Sequence, residues 1–149
     1  MRSNFIFIIS ILLIIIACIF TVLYSNSKKK VAQNQTNKEF EQYINKELYG
    51  TDVITLINKA SNNNDIYNIP KDENKNYIPN EENSITIDLV MITNEEQEKT
   101  KTYRMEKINK VGINEFIKNF NTAKFRITQT QYHIKSGKIK YIQISQQNN

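Results

Sequence analysis

Cysteine and histidine occur once each in this sequence, at Cys18 and His133; proline occurs twice, glycine three times and tryptophan not at all. A single cysteine cannot close an intramolecular disulfide. One cysteine and one histidine cannot complete the Cys/His ligand set of a structural zinc site. Gly50, Gly112 and Gly137 are too scattered for a phosphate-cradling loop or a dinucleotide fingerprint. A catalytic histidine needs a nucleophile or carboxylate partner, and His133 lies in an expected hairpin strand beside Tyr132 and Tyr141, with no such partner identifiable. The acids Glu95, Glu96 and Glu98 read as a solvated turn, and no pair of carboxylates stands out as an acid/base couple. These absences point away from an enzyme and imply no cofactor.

Isoleucine (25), asparagine (21) and lysine (17) dominate what is there. Residues 5–23, FIFIISILLIIIACIFTVL, carry no charge. At 1.5 Å per residue such a helix is about 28 Å long, close to the hydrocarbon thickness of a bilayer. No face of it is polar, and the remaining 125 or so residues form one modest domain, too small to bury it. Residues 1–24 therefore read as a membrane anchor or signal segment in contact with lipid through residues 5–23. Three readings stay open. The helix is a retained anchor, a cleaved secretory signal, or a lipoprotein signal in which Ile15-Ile16-Ala17-Cys18 resembles a lipobox and Cys18 takes the lipid.

Sidedness is pulled two ways. Lys28, Lys29, Lys30 and Lys38 follow the run while Arg2 alone precedes it, which by counting puts the domain in the cytoplasm. A short basic start, one apolar run and a folded domain is the layout of an exported bacterial protein, and favours the extracytoplasmic side.

Residues 25–37 are polar without apolar period and read as a linker. Thr36 and Glu39 have capping-box spacing. Phe40, Tyr43, Ile44 and Leu48 then mark one helical face, Gly50 breaks it, and Thr51 or Asp52 caps a second helix that ends at the asparagines from Asn62 onward. Residues 63–83 hold seven Asn, both prolines and five acids, a loop with a short hairpin around Asn74. Period-2 alternation predicts a strand over 85–91, and a second over 101–108 with Tyr103 and Met105 on one side. Ile113, Phe116, Ile117 and Phe120 mark a helix. Strands over 124–134 and 138–144 meet at a Ser136-Gly137 turn that sets Ile134 opposite Ile139 and Tyr132 opposite Tyr141. The expected order α-α-β-β-α-β-β predicts a single α+β domain over 38–145, two to three helices on a small antiparallel sheet, with a polar tail at 146–149.

Charge is uneven. Residues 71–100 carry three Lys against eight acids, and residues 101–149 carry ten Lys or Arg against two Glu. Lys124, Arg126, Lys135, Lys138 and Lys140, interleaved with Phe125, Tyr132 and Tyr141, are candidates for contacting an anionic polymer or lipid; the alternative is a solvated strand face whose lysines discourage edge pairing. Nucleic acid is disfavoured because no recognition motif accompanies them. Asp72, Asn74 and Asn76 have the 1-3-5 spacing of a calcium loop, but Tyr77 takes the glycine position and Asn83 the position of the bidentate glutamate, so an Asx-rich turn is expected.

An apolar N-terminal helix leading into a helix and a sheet resembles a type IV pilin in outline. The signature residues differ: Asn4 precedes Phe5, and Ile9 stands where the pilin glutamate would be. The stretch ELYGTDVITLINKA from Glu47, with Tyr132-His133 and Ser136-Gly137, is similar to small uncharacterised membrane-anchored proteins of AT-rich Gram-positive bacteria, a likeness that implies an envelope protein and carries no activity. The sequence reading is thus a non-enzymatic membrane-anchored module that binds or scaffolds another envelope protein. A pilin-like or secretion-apparatus subunit and an anionic-polymer-binding module are the alternatives.

Overall fold

In the computed structural model residues 2–93 and 99–148 are described; the connection expected over 93–99, with Glu95, Glu96 and Glu98, lies almost wholly outside them. The chain divides into two units, Met1–Gln35 and Thr36–Asn149.

The first unit is helical. Helix α1 is Arg2–Glu41, and its last turns belong to the second unit. From Ile11 on, the helix is long and apolar enough to cross a membrane, and residues 11–28 are all exposed. The linker expected at 25–37 is helix instead. Residues 25–37 lack Gly and Pro, and extending an existing helix through Lys, Gln and Ala costs little. Thr36 and Glu39 are consequently helix interior, not a cap.

In the second unit α1 ends at Glu41, tighter i→i+3 turns carry the chain through Ile44, and Asn45 then takes a left-handed conformation (φ 63°), which Asn tolerates. Phe40 is buried and Tyr43 and Ile44 pack on the core, as their spacing implied; Leu48, expected on the same helix, is buried in strand β1 (Leu48–Tyr49) opposite Phe125. Helix α2 (Gly50–Ile66) begins at Gly50, with the Tyr49 N–H donating to Asp52 Oδ2 at 2.9 Å. It runs past the asparagines expected to end it, because Asn63 and Asn64 are buried and bonded to the backbone of residues 83–85. A hairpin turn around Asn74 is present: Lys71 and Tyr77 pair, and Asp72 accepts from the N–H and the side-chain amide of Asn76.

Strands β2 (Thr86–Ile92) and β3 (Thr100–Arg104) pair antiparallel. The second strand stops at Arg104. Met105 opens helix α3 (Met105–Val111), in which Met105 and Ile108 reach the core at i, i+3 spacing. Helix α4 (Ile113–Phe120) follows at its expected place, after Gly112 at φ 109°. Strands β4 (Lys124–Tyr132) and β5 (Ile139–Gln146) complete a five-stranded sheet of order β1-β4-β5-β2-β3. Gln146, expected in the tail, is the last residue of β5 and faces Phe125.

The sheet is mixed, not antiparallel: β2 and β5 run parallel, with Ile87 beside Ile142 and Leu89 beside Ile144. Each hairpin is antiparallel internally, so β3 and β4 point the same way. Strands so related need a helical crossover, and α3–α4 supplies it. The β4–β5 register also departs from expectation. Tyr132 faces Ile139 and Gln131 faces Tyr141, after irregularities at 127–129 and 131–132. The connecting turn is wider than Ser136-Gly137: the His133 N–H donates to the Lys138 carbonyl at 2.8 Å, and the Gly137 N–H to the His133 carbonyl at 2.8 Å.

Ile87, Leu89, Ile142, Ile144, Phe125 and Leu48 meet Val53, Leu56, Ile57, Met105 and Phe116 in one core. Each such side chain contributes about 1.5–3 kcal/mol on burial. The other sheet face is polar, with Thr86, Asp88, Tyr141, Gln143 and Ser145 partly exposed.

Candidate functional site

The five candidate basic residues do not act as a set. Lys124 pairs with Glu47 at 3.1 Å. That hydrogen bond and charge raise the lysine's pKa, while hydrogen bonds from Lys124 and Tyr49 lower that of Glu47. Lys138 is buried, and its ammonium donates to the Tyr67 hydroxyl at 2.7 Å and to Asn83 Oδ1 at 2.8 Å. Arg126, Lys135 and Lys140 are exposed, with no ion pair among the described residues. Lys140 borders a shallow groove of about 360 Å³ with Pro79, Thr86, Gln129, Gln131 and Tyr141. Of the interleaved aromatics, Phe125 is core, the Tyr132 hydroxyl donates to Glu41 Oε1 and the Tyr141 hydroxyl to Asp88 Oδ2.

Cys18 is exposed on α1, its carbonyl accepting from the Thr21 hydroxyl at 2.8 Å. Both carboxylate oxygens of Asp72 are engaged by Asn76, and those bonds lower its pKa. Among the described residues no group of three or more His, Cys, Asp or Glu could hold a metal ion. His133 is buried, and its Nε2 lies 2.8 Å from the Ser84 carbonyl. A carbonyl only accepts, so the proton sits on Nε2.

His133 belongs to a polar latch that ties residues 82–85 to the β4–β5 turn and to α2. The Ser136 hydroxyl donates to the Glu82 carbonyl at 2.6 Å, and Asn63 Nδ2 to the Asn83 carbonyl at 2.7 Å. Asn37 donates to the Gly137 carbonyl and accepts from the Ile139 N–H, both at 2.9 Å. The turn is therefore held from three sides, while Ile134 at its tip is fully exposed (102%).

An apolar concavity of this unit lies where β2 and β3 meet α3 and α4. Met91, Tyr103, Ile108, Val111, Phe116 and Phe120 wall a groove of about 320 Å³. Phe116 and Phe120 stack at 5.1 Å between ring centroids, and Phe116 also meets Phe125 at 6.3 Å, so the floor is braced by the core. Val111 (53%) and Ile92 (37%) leave apolar surface open at its mouth. Glu115 and Lys107 stand on the rim, the Lys107 ammonium 4.7 Å from the Tyr103 ring centroid. The groove was not foreseen from sequence, because Val111 and Ile92 look like ordinary members of a helix and a strand. A concave apolar surface with few polar groups suits an apolar ligand group better than an anion.

No protein-family model matches the chain, and neither a curated protein nor a solved structure matches it at a significant level.

Proposed function

We propose that this is a non-enzymatic, single-span membrane protein whose α+β domain docks an apolar segment of another polypeptide in the groove between β3 and α3–α4. The groove carries the reading: it is preformed, apolar, braced by core aromatics and open at Val111 and Ile92. Exposed apolar surface of this kind marks interaction sites. The uncharged run at residues 5–23 supports insertion in a membrane, with the domain on the extracytoplasmic side and the anchor retained. The envelope is where such a module acts.

A photo-crosslinking residue at Val111 in the full-length chain, in its native membrane, tests the docking. A covalent adduct with a polypeptide, lost on Phe120→Asp, is the expected result. Adducts with lipid alone would overturn it. Alkaline carbonate extraction that releases the protein would overturn the membrane part.

The pilin-like alternative is favoured by α1 running unbroken from Arg2 to Glu41 with Phe40 in the domain core. Recovery of the chain in sheared surface filaments is its test. Binding of anionic polymer through the C-terminal strands draws less support, since Lys124 is paired and Lys138 buried.

A further inference from the structure

We infer that the polypeptide seated in this groove is a second copy of the same chain, inserting Ile134. The inference rests on the docking reading of the groove and names its occupant.

Ile134 is the most exposed large apolar residue among those described, at 102%. Water-exposed isoleucine on a floppy tip would signify little. This one sits on a turn closed by the His133–Lys138 and Gly137–His133 backbone bonds, with His133 and Lys138 buried on either side. A knob already fixed in place loses little conformational freedom when it is captured. Its neighbour Lys135 is exposed, and so is Glu115 on the groove rim; neither has an ion-pair partner among the described residues. An aliphatic knob beside a cation thus meets an apolar hole whose rim carries the free acid Glu115, while the rim cation Lys107 is held over the Tyr103 ring.

Topology places knob and hole apart. Strand β5 runs parallel to β2, with Tyr141 beside Thr86 and Ser145 beside Val90. The turn before β5 therefore lies at the Thr86 end of the sheet, and the groove, lined by Met91 and Ile92, at the other end. Six residues of strand separate the two ends by about 20 Å. A chain cannot fill its own groove, and the patches in contact are different ones. Such a head-to-tail contact leaves one knob and one groove free in every pair, so it propagates into rows unless its rotation closes a ring.

The test uses full-length chains in a Cys18→Ser background, one carrying Ile134→Cys and the other Val111→Cys, co-expressed in one membrane and oxidised. A mixed disulfide about tenfold above the collisional level is expected, from the high effective concentration of docked groups. An Ile66→Cys chain paired with the Val111→Cys chain sets that level. Ile134, Val111 and Ile66 are all exposed, so these variants retain the fold. Glu115→Lys should abolish the enrichment, and adding Lys135→Glu should restore it. A mixed disulfide at the Ile66 level would overturn the inference, as would disulfides between Ile134→Cys chains alone. If the Val111 photo-crosslinker still captures a different polypeptide, self-docking fails and the groove remains a docking site. If it captures none, both fail.

Discussion

Asn64, near the end of α2, bonds both backbone groups of Ile85: its Oδ1 accepts the Ile85 N–H at 2.8 Å and its Nδ2 donates to the Ile85 carbonyl at 2.8 Å. The amide acts as a one-residue strand partner just before β2, and it is fully buried. Asn64→Ala orphans one donor and one acceptor, each costing about 1–3 kcal/mol when buried. Loss of roughly 2–4 kcal/mol in chemical denaturation is expected on that basis. Asn64→Asp keeps the acceptor but sets a carboxylate against the Ile85 carbonyl. Burial against that carbonyl raises the acid's folded pKa, so stability should recover as pH falls toward about 4 and be fully regained below it, where the protonated acid is a donor.

Gly50 is a glycine for reasons outside its own helix. A Cβ there would lie 2.3 Å from the Phe120 carbonyl oxygen and 2.8 Å from its carbon. Replacing glycine by alanine inside a helix ordinarily stabilises by up to about 1 kcal/mol. Here the clash is with backbone, and Gly50→Ala should cost about 1–3 kcal/mol, as overpacking does. The sign of the change in thermal midpoint distinguishes the two effects.

Gly50 also shows where sequence reading reaches its limit. It reads as a helix breaker, yet it begins a helix, and the constraint comes from α4, seventy residues away. Local periodicity was informative wherever one face meets the core: Ile113 to Phe120 and the Ile87–Leu89–Met91 alternation needed no partner to be read. Leu48 and Met105 depended on distant partners and were misplaced, and the parallel β2–β5 pairing, in a sheet expected to be antiparallel, joins strands far apart in sequence. The basic residues looked alike in sequence, and only packing separates buried Lys138 from exposed Lys140. The groove needs three elements at once, so no window of sequence contains it.

Three of the eight tyrosines, Tyr77, Tyr132 and Tyr141, have raised pKa values, each chiefly through burial and then through a neighbouring carboxylate: Asp65, Glu41 and Asp88. A tyrosine ionises near pH 10 when unfolded. Raised folded values mean that the native state keeps protons the unfolded chain has released, so stability is full below about pH 10 and falls as pH rises through the folded values. Late-ionising phenolate absorbance and a declining denaturation midpoint above that pH are the expected signals. Asp65 shows the opposite sign. The Tyr77 hydroxyl donates to its Oδ1 at 2.8 Å and Lys71 pairs with it at 3.2 Å, and both lower its pKa. Its contribution is present above about pH 4 and is lost as pH falls through the folded value. Tyr77→Phe should weaken both dependences.

Lys138 and Lys140 lie two residues apart on the same hairpin and should respond very differently to neutralisation. The Lys138 ammonium sits 3.9 Å from the Tyr67 ring centroid, donates to Tyr67 and Asn83, and is 8% exposed. Lys138→Ala leaves Asn83 Oδ1 and the Tyr67 hydroxyl short of a donor and opens a cavity under the 82–85 segment. Destabilisation of about 2–4 kcal/mol is expected from those two losses. Lys138→Met keeps the stem and should lose about half as much, because only the polar contacts go. Lys140 is exposed and has no ion-pair partner among the described residues, so Lys140→Ala should change stability by less than about 0.5 kcal/mol. If an anionic polymer binds this face, Lys140→Ala, Lys135→Ala and Arg126→Ala will each flatten the salt dependence of binding. Equal destabilisation of the Lys138→Ala and Lys140→Ala variants in urea would show that the Lys138 bonds to Tyr67 and Asn83 do not form.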